Sequence, residues 1–168
     1  QSLGYYPEAF GIKPDELVVL GCDSWREITE DVFRDIKVVT INEHMYARRF
    51  FYRFFVNLRI RRLAPEVTVV DAYFRRALMS DSLAWVANAK RTVVSLPYIN
   101  KVTQAEYAWY LSQGWEIINT GVYPTHETIR HASFLTAVSG REIKARTPVI
   151  NWRDNREMGN FDGNYAVL

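Results

Sequence analysis

Four times the chain repeats one pattern: a short run rich in β-branched residues, a polar or glycine-containing break, then a longer mixed apolar-polar stretch. The runs are Leu17 to Leu20, Lys37 to Ile41, Val67 to Val70 and Thr92 to Leu96, and a fifth, Trp115 to Asn119, closes the series. The mixed stretches are Trp25 to Asp35, Asn42 to Leu63, Ala72 to Ala89 and Thr103 to Ser112, with Pro65 as a break and Gly114 as a C-cap. Continuous β-branched runs suit strands covered on both faces by crossover helices. The expected fold is therefore α/β: a three-layer, Rossmann-like domain on a mainly parallel five-stranded sheet. Val18, Val19, Val38, Val39, Val69, Val70, Val93 and Val94 are its expected buried core. Past Gly121 an irregular C-terminal extension is expected, with a helix over Thr128 to Ser139 and an edge strand over Pro148 to Trp152.

With 168 residues, 48% of them hydrophobic, the chain reads as one domain over 15–168 preceded by an arm, 1–14, that carries Pro7 and Pro14 and is expected on the outside. The single cysteine, Cys22, excludes an intrachain disulfide and a cysteine-based zinc site, and a reducing, cytoplasmic setting is expected. Arg53 interrupts the most apolar stretch, Phe50 to Leu58, well short of the roughly 20 residues a membrane span needs, so no membrane partner is expected. The start, Gln1-Ser2-Leu3-Gly4, has neither Met nor a signal-type apolar region and reads as trimmed or processed.

In open α/β sheets ligands gather at the carboxyl ends of the strands. The residues there are Gly21-Cys22-Asp23-Ser24, Asn42-Glu43-His44, Asp71, Ser95 and Asn119-Thr120. Asp23 and Asp71 are candidates to hold Mg²⁺ against a phosphate or to share a proton, with Ser24 as a third catalytic candidate. Gly21, Glu43, Ser95 and Asn119 are candidate ligand contacts. Asp23 or Ser24 before Trp25 is explained by helix capping alone, which is the favoured reading. Neither Gly-x-x-x-x-Gly-Lys-Ser/Thr nor Gly-x-Gly-x-x-Gly occurs, which argues against a standard phosphate-binding or dinucleotide loop. His126 and His131 lie five residues apart rather than the three or four of zinc ligands on one helix face, and with Glu127 they read as a polar helix start capped by Thr125.

Charge is segregated. The net charge is only +2, yet Arg48, Arg49, Arg53, Arg59, Arg61 and Arg62 occur with no acid between His44 and Leu63, a local +6 that leaves the remainder at −4. At about 100° per residue Phe50, Phe51, Phe54 and Leu58 share one face, expected to point inward, with arginines outward. Arg48, Arg49, Arg53, Arg59 and Arg62 are thus candidate contacts to nucleic acid, an acidic protein or an anionic lipid surface; a solvated face of a crossover helix explains them equally well.

Two resemblances follow. Val18-Val19-Leu20-Gly21-Cys22-Asp23-Ser24 resembles the first block of the SGNH hydrolases, with Cys22 inserted between Gly21 and Asp23 and without the late Asp-x-x-His of those enzymes. The stretch from Arg91 to His131 resembles, in the order of its elements, the C-terminal half of phage deoxynucleoside monophosphate kinases, which are P-loop folds. It shows Trp85-Val86 before the strand Thr92 to Leu96, a helix with Gln104-Ala105-Glu106, Gly114, the strand Glu116-Ile117-Ile118 and the Thr125-His126-Glu127 loop. It has Leu96-Pro97-Tyr98 where that family has Asp-x-Arg, and no Walker lysine. The resemblance implies nucleotide handling and a viral origin. The leading expectation is a nucleotide- or phosphate-ligand-binding domain, with Mg²⁺-dependent phosphoryl transfer or hydrolysis as its chemistry. The alternative is a non-catalytic interaction or assembly protein that uses the arginine helix.

Overall fold

In the computed structural model, which describes residues 2–29 and 36–145, five strands alternate with helices. The strands are β1 (Val18–Cys22), β2 (Lys37–Ile41), β3 (Val67–Val70), β4 (Arg91–Ser95) and β5 (Glu116–Ile118). The α-helices are α1 (Tyr6–Phe10), α2 (Glu43–Arg48), α3 (Phe50–Leu63), α4 (Ser80–Ala87), α5 (Gln104–Leu111) and α6 (Glu127–Ser139). Every strand pairing is parallel, but the sheet is divided: β1 pairs with β2, and β3, β4 and β5 form a second sheet in that order. The α/β class and the parallel strands are as expected, whereas one five-stranded sheet is not what forms. Val39, Val93 and Val94 are buried; Val18, Val19, Val38, Val69 and Val70 are only half-buried. Central β4 is covered most completely.

Three helical expectations need correction. The stretch Trp25 to Asp35 begins with a 3₁₀ turn, Asp23–Ile28, and its residues 30–35 lie outside the described residues, as does the expected edge strand Pro148 to Trp152. The expected long helix over Asn42 to Leu63 is two helices, because Arg49 takes an extended conformation (φ −111°, ψ 108°). Arg53 stabilises the break by donating from Nε to the Tyr46 carbonyl (2.9 Å) and from Nη2 to the Ala47 carbonyl (2.7 Å), both left open at the end of α2. The expected helix over Ala72 to Ala89 is helical only from Ser80, since Arg75 draws the preceding loop inward as described below.

The inward face of α3 also differs from expectation. Tyr52, Val56, Ile60 and Leu63 pack on Ile41, Tyr46, Leu83 and Ala87, while Phe50, Phe51, Phe54 and Phe55 are exposed. The inward row recurs at four-, four- and three-residue steps, one face of a helix. Two apolar faces therefore lie on opposite sides of α3, and only one of them is buried.

The N-terminal arm does not lie on the outside. Tyr6 is buried with Val93, Phe134 and Leu135, and Tyr5, Ala9, Phe10 and Leu17 pack around them, so the arm helps α6 to cover the β3–β4–β5 sheet. Ile60→Ala should cost about 2–5 kcal/mol, and Phe54→Ala should stay within about 0.5 kcal/mol of the native chain; urea unfolding of both variants checks which face of α3 carries the fold.

Candidate functional site

Within each of the two sheets the strands run parallel, so their carboxyl ends lie together at one edge of that sheet. At β1 and β2 the Cys22 thiol donates to Glu43 Oε1 at 2.7 Å. Arg76, beyond β3, lies near enough for its charge to act on that thiol. At β3 to β5, Arg75 joins the loop after β3 to Ser95, and the Tyr98 amide donates to the Tyr73 carbonyl.

Several residues expected to meet a ligand at this edge are engaged by the protein itself. Asp23 opens the 3₁₀ turn and pairs with Arg26 at 3.2 Å, and Ser24 is exposed beside it. The space over Gly21 is filled by the Trp25 indole: a Cβ there would meet the ring at 2.4 Å, so glycine is required for that packing. Burial, then the Glu43 hydrogen bond, push the Cys22 thiol up to about 11, which keeps it protonated and poorly nucleophilic. Ser95 is buried between Arg75 Nη1 (3.2 Å) and the Val70 carbonyl (3.4 Å). Asn119 Oδ1 accepts the Gly121 amide at 3.0 Å, shaping a turn in which Gly121 has φ +101°. The Thr120 hydroxyl is buried with no hydrogen-bond partner among the described residues.

Asp71 is the hub of a cluster that the sequence did not reveal. Its Oδ2 accepts the Tyr6 hydroxyl at 2.6 Å and lies 2.7 Å from Nδ1 of His131 on α6. Residues 65 and 60 positions away meet there, so no local spacing announces the cluster. The Asp71 hydrogen bond raises the His131 pKa above its ordinary 6.5, against the opposing effect of burial. Burial, then the Asp71 charge, raise that of the Tyr6 hydroxyl. No contact among the described residues joins Asp71 to Asp23, and no group of three or more metal-capable side chains occurs among them. At the start of α6 the cap is His126, whose ring faces the Thr128 amide; Thr125, the expected cap, donates instead to the Val122 carbonyl.

Two buried arginines brace the edge. Arg75 forms a bidentate pair with Asp81 (2.9 and 3.0 Å) and donates to the Ala72 and Ser95 carbonyls; the two side chains are 1% and 0% exposed. Arg130 donates to the carbonyls of Gly121, Val122 and Thr125 and lies 3.6 Å from the centre of the Tyr73 ring. Between them stands an aromatic cluster, Tyr73, Phe74, Tyr98 and Tyr123, with ring centroids 4.9–6.5 Å apart. Phe74 and Tyr98 border an open groove of about 330 Å³ whose other walls are Arg75, Arg76, Asn100, Thr103 and Tyr107. Asn100 Oδ1 accepts the Val102 and Thr103 amides, which places the first turn of α5 beside the groove.

Comparison with protein-family models, curated proteins and solved structures finds no match to this chain.

Asp81→Ala and Arg75→Ala should each cost about 3–5 kcal/mol, because either leaves an uncompensated buried charge; denaturant unfolding measures this. His131 supplies a pH-dependent contribution. Its folded pKa is raised, so the stability from its charged form is fully present below pH 6.5 and is lost as pH rises through the folded value. His131→Gln should remove that decline, seen as a flatter plot of melting temperature against pH above 6.5.

Proposed function

We propose that the protein binds a nucleotide or nucleotide-like phosphorylated ligand at the strand-end groove. One observation carries the reading: an exposed aromatic pair, Phe74 and Tyr98, 5.4 Å apart, stands beside the exposed Arg76, whose guanidinium has no hydrogen bond or ion pair among the described residues. An aromatic face stacks a base, and a free guanidinium fits phosphate oxygens. The neighbouring α5 N-terminus adds positive potential. The groove volume falls at the small end of the usual range for ligand sites, roughly 300–1,000 Å³, which suits a mononucleotide better than a dinucleotide.

The finer, Rossmann-like fold expectation accords with this proposal: such folds take ligands at the carboxyl ends of their parallel strands, and the groove lies beyond the ends of β3 and β4. The order of elements shared with phage nucleotide kinases points the same way. Mg²⁺-dependent phosphoryl transfer or hydrolysis would need Asp23 and Asp71 to act on one ligand. Asp23 is held by Arg26, and Asp71 by Tyr6 and His131. Binding is therefore the reading the geometry supports best.

A second reading, a contact protein working through its arginine helix, is favoured by a separate observation. The side chains of Arg48, Arg49, Arg59 and Arg62 have no hydrogen bond or ion pair among the described residues and stand near exposed phenylalanines.

Nucleoside monophosphates should raise the melting temperature, whereas inorganic phosphate alone should do so weakly. Phe74→Ala and Arg76→Gln should each weaken nucleotide binding about tenfold, in keeping with roughly 1–3 kcal/mol per stacked base. Both residues are exposed, so the unliganded melting temperature should hardly change. A nucleotide that shifts neither the native melting curve nor calorimetric heat at millimolar concentration refutes the groove.

A further inference from the structure

The outward face of α3 is the least explained surface of the molecule. At about 100° per residue, Phe50, Phe54, Leu58, Phe51 and Phe55 fall within a sector of about 140°, opposite the buried row Tyr52, Val56, Ile60 and Leu63. Phe50 and Phe51 are 75% and 74% exposed. The apolar surface continues across a groove of about 240 Å³, lined by Phe54, Leu58 and Arg61, to Trp85 on α4, and from there to Trp109, 5.4 Å from Trp85. So large a patch marks a contact site.

Charge narrows the occupant. Arg59, Arg61 and Arg62 lie on or beside the sector, Arg48 and Arg49 precede it, and no acid occurs between His44 and Leu63. A second copy docking through the same face would set arginine against arginine, so the cover must be both apolar and anionic. A nucleic-acid strand meets the charge requirement, but stacking needs accessible ring planes in register. Phe50 against Phe51, and Phe54 against Phe55, meet edge-to-face at 75°, so neighbouring rings do not offer parallel platforms for successive bases. A fluid apolar layer beneath anionic headgroups needs no such alignment.

We infer that this face docks on an anionic lipid bilayer, with the phenylalanines and Trp85 in the boundary between headgroups and acyl chains and the arginines on lipid phosphates. Lying on a membrane requires no spanning segment, and among the described residues no helix is long and apolar enough to cross one. This inference deepens the contact-surface reading by naming the partner.

The test is flotation of the whole chain with vesicles of phosphatidylcholine alone or containing about 30% phosphatidylserine. The protein should float with the anionic vesicles at low salt, less at high salt, and not with the neutral ones; brominated acyl chains should quench its tryptophan fluorescence. A variant with Phe50, Phe51, Phe54 and Phe55 changed to Ser should lose partitioning about tenfold or more. Arg48, Arg49, Arg59 and Arg62 changed together to Gln should do the same. Melting temperature should hold in both, with Phe50→Ser plus Phe51→Ser as the milder variant should the fourfold one melt early. No flotation with either vesicle, or flotation that every variant retains, overturns the inference. If a single-stranded oligonucleotide binds through these residues while vesicles do not, the bilayer is wrong and the contact surface stands. If neither binds, both fail. The nucleotide-induced melting shift should survive every α3 variant, which separates this face from the strand-end groove.

Discussion

The carboxyl edge of the sheet depends on a guanidinium that has almost no contact with water. Burying Arg75 and Asp81 removes two full charges from solvent, a cost of several kcal/mol per ion that attraction repays only where the geometry is good and the remaining donors are satisfied. Here Arg75 reaches both Asp81 oxygens and the carbonyls of Ala72 and Ser95, and its ring contact with Tyr107 closes the cage. Tyr107 then donates its hydroxyl to the Arg75 carbonyl. The end of β3, the end of β4, the first turn of α4 and the middle of α5 are thereby held to one side chain. The loop between β3 and α4 follows: Tyr73 and Ala77 are buried, and Phe74, Arg76 and Leu78 are exposed. What is exposed is placed by what is buried.

Arg130 performs the corresponding task on the β5 side, and Asp71 binds the N-terminal arm and α6 to the end of β3. Of these tethers the His131 contact responds to pH, because the Asp71 hydrogen bond raises the pKa of the imidazole. It shares Asp71 with the arm, whose Tyr6 helps to cover β4.

Strand positions were legible because β-branched runs carry their own signal: the expected Lys37 to Ile41 and Val67 to Val70 match β2 and β3 end to end. The division of the sheet was not, because pairing depends on chain placement that no run of valines encodes. Helix faces were misread where two apolar rows compete. Phe50, Phe51, Phe54 and Leu58 make as good a stripe as Tyr52, Val56, Ile60 and Leu63, and only the position of Ile41 and Leu83 selects the second. At the strand ends the sequence pointed to residues that the structure engages internally. Asp and Ser after a strand attract attention, yet Ser95 and Asp71 are engaged by internal partners 20 to 65 residues distant. Phe74, Arg76 and Tyr98 carry no motif.

The arginines illustrate why counting charge along a helix falls short of assigning it. Arg53 belongs to the same +6 stretch as Arg59 and Arg62, but it is committed to the carbonyls that end α2. Removing it would disturb the junction of α2 and α3 whatever it did to a partner. Arg48, Arg49, Arg59, Arg61 and Arg62 close no carbonyls and pair with no acid among the described residues. The phenylalanines beside them add little to the hydrophobic stabilisation of the fold, since surface left in water on folding contributes nothing to burial. The stability of α3 rests on its inward row and on Tyr46, whose hydroxyl donates to Asn57. Folding therefore draws on the inward row of α3, and the outer face keeps exposed apolar area and arginine side chains that pair with no acid among the described residues.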